Sequence, residues 1–520
     1  MMRSRQTPFF RICLFAGLLA VLTGCAAVGP DFVRPEAQAP AEWTQPVVDG
    51  LSTSPNILVE WWRILDDPVL NELVATARLN NNTLEIAGLR VLEARAQLGI
   101  ATGLQFPQAQ VASGSADYVS PPENSGVTSN YWQLGLGAGA SWEIDFWGRF
   151  RRGIESADAA FMASIAAYDQ AQVLLTAAVV DLYAVIRATE EQLRISRENI
   201  TIQQRSFDIA QVLYDNGNDS ELDMQQAKTL LLSTQATVPG LEISLAQARN
   251  ALSTLLGQAP GTVKNILQQG QGIPGLPADI AIGIPADMLR RRPDVCAAEY
   301  QAMALNAQIG LAKADLYPSF SLTGSIGLSS NTLGDADFGD LFSSNALSWS
   351  IGPSFVWPFL NYGRIKNNVR VQDARLQQAL VNYRETVLQA AREAEDAMAS
   401  YIGSQRQNDI LAETVESARR SNELSTLRYS EGFSDYDRVL NAQQALFNQQ
   451  QRFITNRGAI VRSVVALYKS LGGGWENRDG LPYINPETLE LMQQRTDWGK
   501  LIEEYTPDEE NQGMFRKADW

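Results

Sequence analysis

The sequence predicts a mixed membrane α/β fold in which pairs of β-strands alternate with very long, paired α-helices. Three features of the 520-residue chain support this prediction. Motifs from its first half recur in its second half, apolar residues stand seven apart over unusually long stretches, and some segments alternate strictly between apolar and polar residues. The duplication sets the order of the elements, and the two periodicities set their type.

The duplicated motifs recur at a nearly constant offset in the numbering. Gly148-Arg149 recurs as Gly363-Arg364, and Leu256-Gly257 recurs as Leu471-Gly472. Two further pairs are Tyr214-Asp215-Asn216-Gly217 with Tyr429-Ser430-Glu431-Gly432, and Phe106-Pro107 with Tyr317-Pro318. The offset is 215 for the first three pairs and 211 for the last. Because a constant offset is hard to obtain by chance, we divide the chain into a first repeat, 60–275, and a second repeat, 276–474. Each repeat opens with a helix, predicted at 67–103 and 285–314, followed by two strands and two long helices.

The long helices are the strongest periodic signal. Apolar or aromatic residues stand seven apart at Val179, Ile186, Leu193, Ile200, Phe207 and Tyr214. A sustained seven-residue repeat indicates helices that supercoil against neighbours. We predict helices at 154–213, 218–256, 365–428 and 434–471, the first roughly 90 Å long at 1.5 Å per residue. Pro239-Gly240 is expected to kink or locally break the second helix. A soluble antiparallel coiled coil explains these helices but not the strands.

The strands alternate as outer-membrane strands do. Between 133 and 146, apolar residues such as Leu134, Leu136 and Ile144 take one face, and Gly, Ser and acidic residues take the other. Strict alternation over ten or more residues is typical of strands with one face to lipid and one to a lumen. We predict strands at 106–118, 131–147, 318–329 and 346–360. The tryptophans expected at the membrane interfaces are Trp142, Trp147, Trp349 and Trp357. A half-buried soluble sheet is the alternative.

The number of strands has a consequence for assembly. One chain supplies four strands, whereas the smallest membrane barrels need about eight. An open four-stranded sheet would leave unpaired backbone groups in lipid. Several chains are therefore expected to close one barrel together.

The N-terminal sequence is typical of a targeting signal followed by a lipid anchor. Arg3, Arg5 and Arg11 precede a short apolar run, and Leu22-Thr23-Gly24-Cys25 follows. This composition predicts a signal peptide over 1–24, and the last four residues resemble a bacterial lipobox. That resemblance implies lipidation of Cys25, followed by an extended segment, 25–59; a plain secretory signal is the alternative. Ala26 after the cysteine is similar to an outer-membrane sorting signal. No later segment has the uninterrupted apolar length of a transmembrane helix.

Composition disfavours several other functions. The chain has no histidine, which removes the usual general base and metal ligand. Its formal net charge of −16 argues against nucleic acid, which requires a basic surface. The three cysteines do not form a disulfide framework, and Cys296 is expected to be a small packed residue. No catalytic constellation, cofactor motif or metal site is predicted.

The sequence contains four further motifs. They are Val28-Gly29-Pro30-Asp31-Phe32 with Arg34-Pro35, Trp61-Trp62 with Asp67-Pro68, Leu289-Arg290-Arg291-Arg292-Pro293-Asp294, and Leu467-Tyr468-Lys469-Ser470-Leu471-Gly472-Gly473-Gly474-Trp475. In combination, these motifs resemble those of a known family, the TolC-like outer-membrane factors, and within it the NodT-type efflux lipoproteins. The resemblance covers about 25–475.

The resemblance implies a fold and a function. Three chains would form a twelve-stranded barrel in the outer membrane, continuous with a hollow periplasmic α-barrel built from the long helices. Such a homotrimer would be a passive exit duct for drugs or other small molecules. It would meet a periplasmic adaptor protein and, through it, an inner-membrane RND-type pump, and would have no enzymatic activity. A periplasmic coiled-coil adaptor without a barrel is the alternative function, and an outer-membrane enzyme is a more distant one.

The family's fold would place the helix–helix turns at the periplasmic tip. Both turns carry acids, and we predict that Asp219, Asp223, Asp435 and Asp437 surround the aperture there. Hydrogen bonds, or bridges to Arg428 and Arg438, would hold the aperture closed. The alternative is that these acids are ordinary turn and N-cap residues. Asn441 departs from the aspartate of many relatives, which weakens the case for a full acidic ring.

The acidic tail, 475–520, lacks a clear pattern. A belt around the periplasmic barrel and a disordered tail both fit its composition.

Overall fold

The computed structural model describes residues 27–35, 42–44, 51–52, 59–122, 124, 126–127, 129–270, 272–275, 280–281, 289–333, 338–476 and 482–503. Within these ranges both repeats have the predicted order of elements. The first repeat contains α1 (Pro68–Asn80), α2 (Asn82–Gly103), β1 (Ala109–Val119), β2 (Tyr131–Ile144), α3 (Arg149–Asp215) and α4 (Glu221–Leu255). The second contains α5 (Pro293–Ala314), β3 (Ser319–Asn331), β4 (Leu347–Val356), α6 (Arg364–Ser430) and α7 (Tyr436–Ser470).

Shorter elements connect and follow the repeats. A 3-10 helix spans Trp61–Leu65, two more span Phe338–Phe342 and Ser344–Ala346, and a short helix spans Lys264–Leu267. Strands of two residues, Leu51–Ser52 and Ile280–Ala281, pair in parallel. After the second repeat come α8 (Pro486–Arg495) and a final helical turn, Lys500–Glu503.

The four long strands form one antiparallel sheet in the order β1-β2-β3-β4. Ala109 pairs with Ser141 in the first hairpin, and Ser319 pairs with Val356 in the second. The two repeats meet at the centre, where β2 pairs with β3 from Gln133↔Asn331 to Ile144↔Phe320. In this sheet β1 and β4 are the edge strands, each with one side unpaired among the residues that the structure describes.

The strand-to-helix junction is built the same way in both repeats. Gly148 and Gly363 stand immediately before α3 and α6 and have φ of 77° and 81°. A left-handed conformation favours glycine, which has no Cβ to clash with the backbone. The recurrence of Gly-Arg in the sequence therefore marks the point at which each sheet strand turns into a 67-residue helix.

Several predicted boundaries need correction. The predicted helix 67–103 is two helices, because Asn81 caps α2 by accepting a hydrogen bond from the Leu84 N–H at 2.9 Å. The second repeat's first helix begins at Pro293 rather than 285, although 289–291 form a helical turn. The first strand begins at Ala109 rather than 106, because the chain is still turning there after α2.

Of the kink or local break expected at Pro239, the break is wrong, since α4 continues through it from Glu221 to Leu255; the kink stays a prediction. Proline removes one helical hydrogen bond, which leaves the carbonyl of Gln235 without its donor. Both Gln235 and Pro239 are exposed, so water can bind that carbonyl. The helix tolerates the proline because the defect faces solvent.

The core lies where the repeats' helices meet. Trp61 and Trp62 are buried there, and the Trp61 ring stacks on Tyr468 with centroids 5.2 Å apart. α3 packs against α2, α4, α5 and α7. By length and composition α3 also contains a window apolar enough to cross a membrane, but most of that window is buried inside the chain. We therefore interpret it as core.

The segments before and after the repeats pack along the helices. Asp31 and Arg34 of the N-terminal segment form ion pairs with Arg152 and Glu299. At the other end, Thr488 of α8 donates a hydrogen bond to Glu85 of α2 at 2.6 Å. Over 482–503 the tail therefore packs against the chain's own helices.

Candidate functional site: the sheet and the helix tips

The sheet exposes an apolar face along most of its length. Its exposed apolar residues include Leu136, Trp142 and Ile144 on β2, Phe320, Leu322 and Ile326 on β3, and Trp349, Ile351 and Phe355 on β4. Directly paired residues share a face, as in Ile326↔Trp349 and Phe320↔Phe355. An exposed apolar surface of this extent needs a covering medium, and its alternation with Gly and Ser is the pattern of a strand with lipid on one side.

Aromatic residues mark both ends of this face. Near the helices, Trp142 donates its indole N–H to the Gln105 carbonyl, and Trp357 does the same to Leu316. Near the opposite end, Trp132 packs against Tyr118 with ring centroids 5.3 Å apart. Sequence reasoning missed Trp132 and Tyr118, although Trp132 lies directly before the alternating segment.

Trp147 occupies a different environment from the other predicted girdle residues. It is partly buried below the sheet, stacks on Tyr317 at 4.5 Å and donates its indole N–H to the Pro318 carbonyl at 2.8 Å. Its expected place in an interfacial girdle is therefore corrected to a packing role at the junction between strands and helices.

The two helix–helix turns meet at the far end of the long helices. Tyr429, at the end of α6, donates its phenolic hydrogen to Asp219 Oδ2 at 2.5 Å. The ring of Tyr429 lies edge-on to Tyr436, which begins α7, and a small apolar cluster including Ala210 and Met224 packs beside them. One chain therefore links its first turn to its second through a tyrosine–carboxylate bond.

Asp223 is part of the same group but has a local partner. Its backbone N–H donates to Ser220 Oγ at 3.2 Å, and Ser220 Oγ is 2.9 Å from Asp223 Oδ2, so the two form the N-cap of α4. Burial, the hydrogen bond with Asp219 and nearby negative charge, including that of Asp437, raise the pKa of Asp223.

The pKa of Asp219 shifts in the opposite direction. Burial alone would raise its pKa, but hydrogen bonds from Tyr429, Asp223 and the Ser220 N–H outweigh it, and the pKa of Asp219 is lowered. Burial also raises the pKa of the phenols of Tyr429 and Tyr436, the latter to about 12. Asp219 and Asp223 thus prefer to share one negative charge.

Asp435 and Asp437, the acids of the second turn, take no part in the bond between Tyr429 and Asp219. Asp435 is exposed at the N-cap position of α7 and makes no capping bond, and Asp437 lies in the helix's first turn. Among the side chains that the structure describes, Arg428 and Arg438 form no ion pair with the four acids within one chain, and Tyr429 supplies the contact instead. Sequence reasoning missed Tyr429, although it opens the duplicated Tyr-x-x-Gly motif.

The N-terminal segment reaches the junction between strands and helices. The Val28 N–H donates to the Trp147 carbonyl at 3.0 Å, and Arg152 donates to the Val28 carbonyl at 3.3 Å. Ala27 lies against Gly148 so closely that a Cβ on Gly148 would be 2.4 Å from the Ala27 Cβ. Cys25 and the signal peptide lie outside the described residues.

Comparisons with known proteins agree with this architecture. The sequence profile of the family described as "Outer membrane efflux protein" matches residues 73–258 and 284–473. The solvent efflux pump outer membrane protein SrpC of Pseudomonas putida is 32% identical over 485 residues, covering 91% of this chain and 99% of that protein. The probable outer membrane lipoprotein SilC of Salmonella typhimurium is 30% identical over 467 residues, covering 88% of this chain and 97% of SilC.

Solved structures resemble the fold equally well. The outer-membrane channel OprN superposes with a TM-score of 0.81 at 32% identity, covering 87% of this chain and all of that one. The Campylobacter jejuni CmeC outer membrane channel has a TM-score of 0.78 at 25% identity, covering 91% and 99% of the two chains. With the profile matching both repeats and relatives matching along nearly their whole length, the chain belongs to the outer membrane efflux protein family and is a channel component of the outer membrane.

Proposed function

We propose that this chain works as a homotrimeric, lipid-anchored, passive duct through which small molecules leave the periplasm. The observation that carries the proposal is the four-stranded sheet with an exposed apolar face and two unpaired edges, joined to helices of 67 residues. Four strands are too few for a membrane barrel, and three chains give twelve. At 1.5 Å per residue each long helix spans about 100 Å, a length suited to crossing the periplasm.

The partners follow from a passive duct. With no nucleotide motif of its own, the trimer would depend on an inner-membrane pump of the RND type for energy and on a periplasmic adaptor protein to reach it. The exported molecules would be drugs or other small molecules, as in the solvent and toluene efflux systems named for its relatives. The chain itself would carry out no enzymatic reaction.

The aperture would lie at the helix tips. Threefold repetition would bring Asp219, Asp223, Asp435 and Asp437 around one axis, where carboxylates favour cations. The bond from Tyr429 to Asp219 supports this assignment, because it ties together the two turns that must separate for the tip to widen.

Lipidation of Cys25 would add a second anchor. Ala27 and Val28 lie at the junction between the apolar strands and the helices, where the sheet would leave the membrane. Acyl chains on a cysteine two residues earlier would therefore start close to the inner leaflet. Mass spectrometry of the mature chain tests this: an acylated N-terminal Cys25 is expected, and an unmodified N-terminus would refute it.

Dye efflux tests the proposed function itself. The chain is expressed with a periplasmic adaptor and an RND-type pump, in cells that lack their own outer-membrane efflux channels. Accumulation of a fluorescent pump substrate should fall when the chain is present and rise again when a protonophore removes the energy. Equal accumulation with and without the chain, while trimers are present in the outer membrane, would contradict the proposal.

A further inference from the structure

A cavity of about 230 Å³ lies where the sheet meets the long helices. Its lining includes Glu143 of β2, Ser319 of β3 and Val356 of β4. Ser319 pairs with Val356, and Glu143 pairs with Ser321, which stands two residues after Ser319, so these side chains share the polar face of the sheet. In the proposed trimer that face lines the duct, and the cavity is then a recess in the duct wall.

Part of the cavity wall is apolar. Trp147 and Tyr317 line it, with their stacked ring centroids 4.5 Å apart, and Phe146 and Ile365 extend the apolar surface. Apolar walls with a few polar groups are typical of sites for small molecules, and drug-sized molecules occupy roughly 300–1,000 Å³. The smaller volume of this cavity suits a molecule with a single ring.

Two carboxylates at the cavity share a single cation. The Arg149 guanidinium is 3.3 Å from Glu143 Oε1 and 3.6 Å from Asp315 Oδ1. Both distances exceed the roughly 2.7–2.9 Å of a strong charge-assisted hydrogen bond. Because one guanidinium faces two carboxylates, this part of the wall keeps an uncompensated negative charge.

A third carboxylate at the cavity, Asp145, is already neutralised. It accepts hydrogen bonds from the backbone N–H groups of Phe150 and Arg151, both at 3.0 Å, and from Arg151 Nε at 3.2 Å. A carboxylate with three donors of this kind has little left to offer a ligand. The negative charge available at the cavity is therefore that of Glu143 and Asp315.

The opposite charge comes from Arg364, the first residue of α6. Arg364 lines the cavity, is exposed, and forms no ion pair with any residue that the structure describes. Since β3 lies between β2 and β4 in the sheet, Glu143 near the end of β2 and Arg364 after β4 stand on either side of β3. The cavity thus has a negative wall, a positive wall and an apolar surface.

We propose that this cavity is a binding site in the duct wall for small amphipathic zwitterions, which carry one ammonium group, one carboxylate and one apolar ring. The ammonium group binds Glu143 and Asp315, the carboxylate binds Arg364, and the ring lies on Trp147 and Tyr317. The charged side chains are partly exposed to water, so binding is weak, as passage through a duct requires. The site deepens the proposed function and rests on it for access from the duct.

Three probes that share one phenyl ring test the assigned charges. L-phenylalanine carries both charges, phenethylamine only the cation, and 3-phenylpropionate only the anion. Ligand-observed NMR on wild-type trimers in nanodiscs, with empty nanodiscs as the blank, gives each dissociation constant. L-phenylalanine should bind about tenfold more tightly than either analogue, because it makes one further charge-assisted contact. Equal affinities for the three probes, or no binding above the blank, would overturn the site.

Variants of the two walls should change the preference in opposite ways. In Arg364→Gln, L-phenylalanine should bind only as well as phenethylamine, whose own affinity stays the same. In Glu143→Gln, Arg149 is left to neutralise Asp315, so L-phenylalanine should bind only as well as 3-phenylpropionate. Arg364→Lys keeps the charge and should keep the preference. A variant whose preference among the probes matches the wild type, Arg364→Lys apart, would overturn the role of that side chain.

Two matched controls remove charges nearby. Arg370→Gln changes another exposed cation of α6, and Asp117→Asn changes an acid of β1 on the same sheet face as Glu143; neither residue lines the cavity. Both should bind the three probes as the wild type does, and losses equal to those of Arg364→Gln and Glu143→Gln would overturn the site.

Binding is measured without transport, so the site and the duct can fail separately. Trimers that conduct in planar bilayers but bind no probe would overturn the site and leave the duct. Trimers that bind L-phenylalanine as expected but carry no current would contradict the proposed function and leave the site.

Discussion

Tyr429 donates a hydrogen bond to Asp219 across 210 positions of the chain, and this 2.5 Å contact joins the two helix–helix turns of the protein. It is a charge-assisted bond, because the pKa of Asp219 is lowered and the pKa of Tyr429 is raised. A carboxylate acceptor and a retained phenolic proton favour the same state, in which the turns are held together. The two turns of one chain are therefore held together by that chain's own residues.

Removal of this bond should loosen the tip. Tyr429→Phe keeps the ring against Tyr436 but removes the hydroxyl, so a charge-assisted bond of about 1.5–3 kcal/mol is lost. We expect a severalfold rise in the open probability of single channels in planar bilayers. Tyr436→Phe is the matched control, since it removes a buried hydroxyl in the same cluster that is not bonded to Asp219. Equal effects of the two variants would show that the Tyr429 hydroxyl does not hold the tip.

The tip should also respond to pH. The pKa of Asp223 is raised, so its contribution to closure is present at low pH and is lost as pH rises through that raised value. The pKa of Asp219 is lowered, so its contribution persists until pH falls through the lowered value. Closure should therefore be strongest between the two pKa values and weaken as pH rises through the raised pKa of Asp223.

Channel recordings as a function of pH check this expectation. In Asp223→Asn the side chain cannot become charged, so closure should no longer weaken as pH rises. Asp435→Asn changes an exposed position without a capping bond, so closure should still weaken as pH rises. A pH response that survives in Asp223→Asn would assign the titration to another group.

The two junction glycines should differ in how well they tolerate substitution by alanine. Gly148→Ala and Gly363→Ala both impose a left-handed conformation on alanine, which costs roughly 1–2 kcal/mol. At Gly148 the new Cβ would also meet the Ala27 Cβ at 2.4 Å, whereas at Gly363 the nearest atom is Asn367 Nδ2 at 3.9 Å. Gly148→Ala should therefore cost about 1–3 kcal/mol more, measured as a lower thermal dissociation midpoint. Equal midpoints would mean that the N-terminal segment does not pack at the junction.

Neighbouring arginines should have very different effects on stability. Arg292 is buried and donates to the Ser470 carbonyl at 2.6 Å, to Asp294 and to Glu393. Arg292→Ala leaves these groups without their cation and should destabilise the chain by about 3–5 kcal/mol. Arg291 is half-exposed and forms an ion pair with Glu476 at 3.2 Å, so Arg291→Ala should cost about 0–1 kcal/mol. Denaturant titration in detergent measures both, and similar losses would contradict the assigned role of Arg292.

Element order and type could be predicted from the sequence because they follow from periodicity. The seven-residue spacing from Val179 to Tyr214 lies within α3, and the alternation over 133–146 covers most of β2. Boundaries were less accurate where a side chain or solvent decides them. Asn81 divides a helix by capping, and Pro239 fails to divide one because its unpaired carbonyl faces water.

The candidate site was predicted only in part, for a physical reason. Acids near a turn are visible in the sequence, but a bond between two turns is not, because Asp219 and Tyr429 are brought together only by the packing of α3, α4, α6 and α7. The duplicated Tyr-x-x-Gly motif singles out Tyr429 in the sequence, but it does not identify Asp219 as its partner.

Single-channel conductance in planar bilayers tests the central claim, that the trimer is a passive duct closed at its helix tips. Purified wild-type trimers should conduct weakly and without nucleotide, and a released variant that combines Tyr429→Phe with Asp219→Asn should conduct several-fold more. If inserted trimers of the released variant carry no current, the chain does not form a continuous duct and the account is wrong.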